Sequence, residues 1–126
     1  GIQVAGRLDR DSQRYLSEKR MPVGKLIENA DHSFPLILLD HQPLQLGEAA
    51  DNGIDLQLSG HTHKGQLWPL NYLIDKIYEV GYGHRKIGNT HVIVSSGFGL
   101  WGPRVRTSGR SEVIQVDLEF TGSGQN

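Results

Sequence analysis

Apolar and polar positions alternate through Ile2-Gln3-Val4-Ala5 and then give way to Gly6 and a polar stretch from Arg7 to Ser12. That pattern predicts a short strand ending in a loop. Gln13 to Arg20 is charged and predicts a helical turn around Tyr15 and Leu16. Pro22 suits the first turn of a helix over Val23 to Ala30, in which Val23, Leu26, Ile27 and Ala30 share one face until Asp31-His32-Ser33 breaks it. Phe34 to Leu39 is a continuous apolar run, the pattern of a strand buried on both faces as in parallel sheets. Leu46 to Asn52 reads as a short helix closed by Gly53, and Ile54 to Ser59 as the next strand, so this stretch predicts a βαβ unit. Leu70 to Ile77 predicts one more short helix. Beyond it, Tyr78–Tyr82, His84–Ile87, His91–Ser95 and Glu112–Phe120 are strand-like and separated by glycine turns, with Gly88-Asn89 a hairpin signal. Thr121 to Asn126 is a polar, glycine-rich tail expected to fray.

The predicted parallel strands end in chemistry. Leu36-Ile37-Leu38-Leu39-Asp40 runs into His41, and Leu56-Gln57-Leu58-Ser59-Gly60 runs into His61-Thr62-His63. Ligands of such sheets bind beyond the carboxyl ends of the strands, where both histidine groups fall. Neutral imidazoles converging there are what a transition-metal site is made from. Gly60 is expected to let the backbone turn tightly where its strand stops, and Pro43 directs the chain out of the sheet after His41. Three histidines can hold one zinc with water as the fourth ligand, or form part of a two-metal site whose carboxylates lie elsewhere. Asp40 faces away from His41 in a regular strand and Asp55 lies at the wrong end of its own, so neither is a bridging candidate. His32, His84 and His91 lack a strand-end context and read as structural.

Composition narrows the alternatives. The 126 residues carry 13 basic and 14 acidic side chains, a net charge of -1, so no overall field favours non-specific nucleic-acid binding. Cysteine is absent, leaving histidine, carboxylate and amide oxygen as the available ligands. No apolar run approaches the ~20 residues of a membrane span, so the chain is expected to be soluble. Its first residue is Gly1 and it opens directly in a strand pattern, which favours an incomplete chain.

The string Leu58-Ser59-Gly60-His61-Thr62-His63-Lys64-Gly65-Gln66-Leu67-Trp68-Pro69 and the string Val94-Ser95-Ser96-Gly97-Phe98-Gly99-Leu100-Trp101-Gly102-Pro103 are similar to a bacterial branch of the calcineurin-like metallophosphoesterase superfamily. The family's Gly-His-x-His signature is Gly60-His61-Thr62-His63, and its upstream strand-end histidine is His41. The branch includes membrane-associated phosphodiesterases, some acting on lipid-linked nucleotide sugars. Lys64 departs from the branch, which usually carries glycine there. The family's Asp-x-His, Gly-Asp-x-x-Asp and Gly-Asn-His-Asp motifs do not occur. The resemblance therefore implies an α/β chain that is the C-terminal half of a four-layer αββα sandwich. Residues 1–120 would be the domain part and residues 121–126 a flexible tail.

By the same resemblance, His41 and His61 would ligate one divalent ion and His63 a second, the pair being manganese, iron or zinc. Such ions lie about 3.5–4 Å apart and activate water against a phosphate ester. Arg104 and Arg106 are candidate substrate-binding residues, since a guanidinium offers phosphate a bidentate fork; Arg7 and Arg10 are weaker ones. Trp68 and Trp101 read equally as an apolar substrate wall or as core. No catalytic acid or base is identified. The expected substrate is a phosphodiester or pyrophosphate, lipid-linked and nucleotide esters included. The parent is expected to be cytoplasmic or membrane-associated and of bacterial type. The chain alone is expected to be inactive, with partial or no metal occupancy, and to self-associate through an uncovered sheet face. The alternatives are a non-enzymatic scaffold of the same fold and a complete mononuclear zinc or cupin-like enzyme. The cupin pattern wants a glutamate shortly after His63, which Lys64-Gly65-Gln66-Leu67-Trp68 does not supply.

Overall fold

The computed structural model describes residues 1–119; Phe120 and the tail predicted over 121–126 lie outside the described residues. The elements are β1 (Gln3–Arg7), α1 (Val23–Leu26), β2 (Leu36–Asp40), α2 (Leu46–Asp51), β3 (Leu56–Ser59), α3 (Leu70–Ile77), β4 (Gly83–Ile87) and β5 (Thr90–Val94), with 3-10 turns at Asp11–Arg14 and His63–Gly65. The strands form one sheet in the order β1-β2-β3-β5-β4. All pairings are parallel except the β4–β5 hairpin. The mixed α/β class and the β2–α2–β3 unit read from the hydrophobic pattern are therefore present.

Register assigns the two faces. Paired residues of a sheet share a side, so Ala5, Leu38, Gln57 and Val92 line one face, and Val4, Ile37 and Leu56 the other. The first face carries the core. Val23, Ile27, Leu36, Leu38, Ala49 and Ile54 form one buried cluster, while Leu46, Val80, Val92 and Val94 form a second. Leu46 and Ala49 of α2 thus reach both clusters, the Leu46 side chain adding about 1.5–3 kcal/mol and the Ala49 methyl about 0.8 kcal/mol. The opposite face leaves Val4 and Leu39 largely exposed, at 61% and 44%.

Four expectations are corrected. Helix α1 stops at Leu26 rather than Ala30; Gly24 is a weak helix former placed where α1 passes close to α2, since a Cβ on it would lie 2.5 Å from Asn52 Oδ1. The turn expected over Gln13–Arg20 lies earlier, at Asp11–Arg14, where Ser12 Oγ donates to the Asp9 carbonyl (2.5 Å) and the Asp11 amide to the Asp9 carboxylate (2.7 Å). Residues 78–82 are not a strand. Their carbonyls serve side chains instead of a ladder: Glu79 accepts from Arg85 Nη1 and Gly81 from Thr62 Oγ1. Residues 112–119 likewise join no strand pair, and Val113 is left 83% exposed. Alternation alone does not make a strand: this segment adds to neither of the sheet's outer strands, β1 and β4.

Candidate metal centre

His41 follows directly on β2 and His61 comes two residues after β3. The parallel pairing places both at one rim of the sheet, with their ring centroids 5.2 Å apart and edge to face. His63 joins them around a cavity of about 360 Å³ that is also lined by Leu73, Tyr78 and Trp101. The three sequence-predicted histidines are therefore brought together. His32 lies apart beside Gly53, and His84 and His91 bond to each other across the β4–β5 hairpin at 2.9 Å.

Two different devices hold these rings. The end of β2 is pinned by ion pairs: Asp40 is almost wholly buried and accepts from Arg20 at 2.5 and 3.0 Å, with Arg7 at 3.6 Å. Arg7 also reaches Glu48 at 2.8 Å, and Arg20 donates to the Leu8 carbonyl. Burial pushes the Glu48 carboxyl up, but the Val23 amide and Arg7 outweigh it and hold the group below its ordinary value. Asp55 is likewise committed, accepting from the Leu36 amide at 2.8 Å.

The His61–His63 loop is held without ion pairs. The turn expected at Gly60 is taken by His61 itself, at φ +67, while Gly60 lies outside the left-handed region and would place a Cβ 3.8 Å from the His41 ring. Thr62 is buried and donates to the Gly81 carbonyl at 2.7 Å. Arg106, expected to meet substrate, spends its guanidinium on the carbonyls of His63 (3.2 Å), Ser96 (3.2 Å) and Gly99 (2.8 Å). Arg104 is exposed and does not line the cavity. Neither tryptophan is core: Trp68 is 67% and Trp101 66% exposed. Lys64 has φ +50, a conformation glycine adopts freely, and its ammonium sits over the Tyr82 ring at 4.1 Å.

The donor set suits a divalent transition ion in two respects. Burial and the His41 ring hold His61 below the ordinary histidine value against Asp9 and Asp11, which pull it upward. Burial and then Arg106 do the same to His63, so both offer neutral lone pairs near pH 7. His63 Nδ1 is buried with no hydrogen-bond partner. An orphaned ring nitrogen beside the cavity the three histidines line is an available ligand atom. Among the described residues, no three histidine or carboxylate side chains are placed to enclose one ion.

An uncharacterized metallophosphoesterase of Helicobacter pylori is 36% identical over 124 residues, covering 94% of this chain and 32% of that protein. An uncharacterized metallophosphoesterase of Aquifex aeolicus is 32% identical over 97% of the chain and 47% of its own length. The chain is homologous to a segment of metallophosphoesterases. A Bos taurus transmembrane protein with metallophosphoesterase domain is 38% identical over 79% of the chain and 23% of its own length. The chain thus spans a quarter to a half of these curated metallophosphoesterase relatives. No family model and no solved structure matches. No helix among the described residues is long and apolar enough to cross a membrane.

Sequence reasoning missed Gln66, Asp40 as an ion-pair hub, and Asp9 and Asp11 as charges facing His61. Gln66 carried no signal, because a glutamine in a loop announces neither burial nor partners. Asp40 points away from His41, and that orientation is what lets it meet Arg7 and Arg20 and anchor the strand.

Proposed function

We propose that this chain contributes His41, His61 and His63 as ligands to a dinuclear centre that hydrolyses a phosphodiester or pyrophosphate. The reading is carried by the convergence of His41 and His61, 5.2 Å between centroids, on a cavity that His63 shares. Two divalent ions, when bound, would supply Lewis-acid polarisation of a phosphoryl oxygen and a water of lowered pKa. His41 and His61 would hold one ion and His63 the other. The chain's remaining residues orient and shield. Asp40 with Arg7 and Arg20 fixes where β2 ends, and Leu73, Tyr78 and Trp101 give the cavity an apolar wall that limits water. Manganese, iron and zinc suit imidazole donors better than magnesium does.

With only three ligands for two ions, the chain by itself binds metal weakly and does not turn over substrate. Calorimetric titration of zinc into wild-type and His61→Ala chains tests this, together with an assay on bis-p-nitrophenyl phosphate. The expected result is binding that His61→Ala weakens, without turnover; equal zinc affinity in both chains overturns the ligand assignment. The exposed Val4 and Leu39 face is the contact through which a second copy of the chain would pair. A monomer at all concentrations in sedimentation would remove that part of the proposal.

A further inference from the structure

Helix α3 has the apolar spacing of a packed helix but leaves that face open. Leu70, Leu73, Ile74 and Ile77 fall at i, i+3, i+4 and i+7, a stripe that ordinarily meets a core. No residue of α3 is buried, and Leu73 and Ile77 are 52% and 57% exposed. The helix rests on the His63–Gly65 turn, and Ile74 lies against Gly81. A second open stretch runs beside it: Phe98 is 78% exposed, and Leu100, Trp101 and Val105 are exposed too. Buried Gln66 stitches the two together. It donates from Nε2 to the carbonyls of Trp101 (2.6 Å) and Pro103 (3.0 Å) and accepts the Trp101 amide at Oε1 (2.6 Å). The Trp68 amide donates to Thr107 Oγ1 at 2.8 Å. Leu70, Leu73 and Trp101 also line the histidine cavity, so the open surface adjoins it. The charge of this region has one sign. Residues 64–74 and 97–111 contain Lys64, Arg104, Arg106 and Arg110 and no aspartate or glutamate. Asp75 and Lys76 at the end of α3 cancel, and the next carboxylate, Glu112, is engaged by the Ser96 amide (2.7 Å) and the Tyr82 hydroxyl (2.9 Å).

We propose that α3 and residues 98–105 dock this chain on an anionic lipid bilayer, apolar side chains among the acyl chains and arginines among the headgroups. A contiguous open apolar patch marks an interaction surface. Its makeup selects the partner. Tryptophan and tyrosine prefer the boundary where one end of the ring is dry and the other wet. An amphipathic helix lies in that boundary with its apolar stripe inward, and cations beside it gain from anionic headgroups. A bilayer accepts aliphatic, aromatic and cationic groups together without a matching shape. The open sheet face around Val4 and Leu39 offers no tryptophan. Because Leu70, Leu73 and Trp101 belong to both the patch and the cavity wall, docking sets the histidine cavity at headgroup level. Docking itself needs no metal, so it stands or falls apart from the ligand assignment.

The chain's two tryptophans, Trp68 and Trp101, both lie in the patch, so their fluorescence reads docking directly. Emission of the metal-free full chain is recorded with vesicles of phosphatidylcholine alone and of phosphatidylcholine with about one-third phosphatidylglycerol, with and without brominated acyl chains. Anionic vesicles should shift the emission to the blue, and brominated chains should quench it. Neutral vesicles should bind about tenfold more weakly or less. Leu73→Ser with Ile77→Ser keeps both reporters and should weaken binding about tenfold or more. Arg104→Ala with Arg110→Ala should weaken binding to the anionic vesicles alone. Val4→Ser with Leu39→Ser, on the sheet face, should bind as the wild type does. Emission that vesicles neither shift nor quench overturns the proposal, as does binding lost in the sheet-face variant and kept in the α3 variant. Blue emission without lipid that reverts on dilution also overturns it, because a second copy would then cover the patch. Should the Leu73 and Ile77 variant not fold, undiminished anionic binding by the arginine variant decides against the proposal.

Discussion

His41 and His63 face one cavity but are held in opposite ways. His41 ends an unstrained strand whose last residue is locked by charge, Asp40 between Arg7 and Arg20. His63 sits at positive φ in a loop held by hydrogen bonds to main-chain carbonyls and amides, from the Gln66 amide and the Arg106 guanidinium. The first device depends on a buried carboxylate meeting its arginines, the second on hydrogen bonds to main-chain groups. One should therefore fail when a charge is removed, the other when the backbone is refitted.

The largest expected effect is on the charged device. Asp40→Ala leaves two arginines, whose side chains are 6% and 8% exposed, without their shared partner. A loss of about 3–5 kcal/mol is expected in urea unfolding; a loss under ~1 kcal/mol would mean that the network does not anchor β2. Next is the backbone of the second device. At Gly65 a Cβ would meet Asn71 N at 2.4 Å and the Asn71 Cα at 2.6 Å, at φ +75. Gly65→Ala should destabilise by about 1–3 kcal/mol and displace α3, whereas an unaltered unfolding midpoint would show that the loop yields easily.

Acid titration separates the two further. Burial raises the Glu112 carboxyl, but the Ser96 amide, the Tyr82 hydroxyl and the Ser96 and Ser95 hydroxyls outweigh it and hold the group below its ordinary value. A lowered folded-state pKa stabilises above the unfolded value near ~4.3, and the gain disappears as pH falls through the folded value. Glu112→Gln should flatten stability below about pH 4.3; an identical acid limb in both proteins would contradict this. The smallest effect is at Lys64, where relief of positive φ outweighs the lost contact with Tyr82. Lys64→Gly should raise stability by less than about 1 kcal/mol, and a drop of that size would show the cation–π contact to dominate.

The same contrast governs what could be read from sequence. Apolar runs named β2, β3 and α2 closely because buried elements bring their period with them, and Leu70–Ile77 matched α3 at both ends. His41 was visible for the same reason, as the residue a strand runs into. The loop is legible in its histidines and not in its support: Gln66 and Arg106 act through carbonyls, which every residue possesses. Arg106 reads from sequence as a substrate-binding candidate, and its guanidinium also donates to three main-chain oxygens. Residues 112–119 show the converse, a strand-like pattern that joins neither outer strand of the sheet.

The central claim, that His41 and His61 share one divalent ion, is tested most directly by electron-spin-echo modulation of copper(II) added to a chain carrying His84→Ala and His91→Ala, which removes the only other histidine pair in contact among the described residues. Modulation from two imidazoles on one ion is predicted in that background and should fall to at most a single-imidazole pattern, from His63, when His41→Ala and His61→Ala are added. Undiminished modulation after both changes would contradict the shared site.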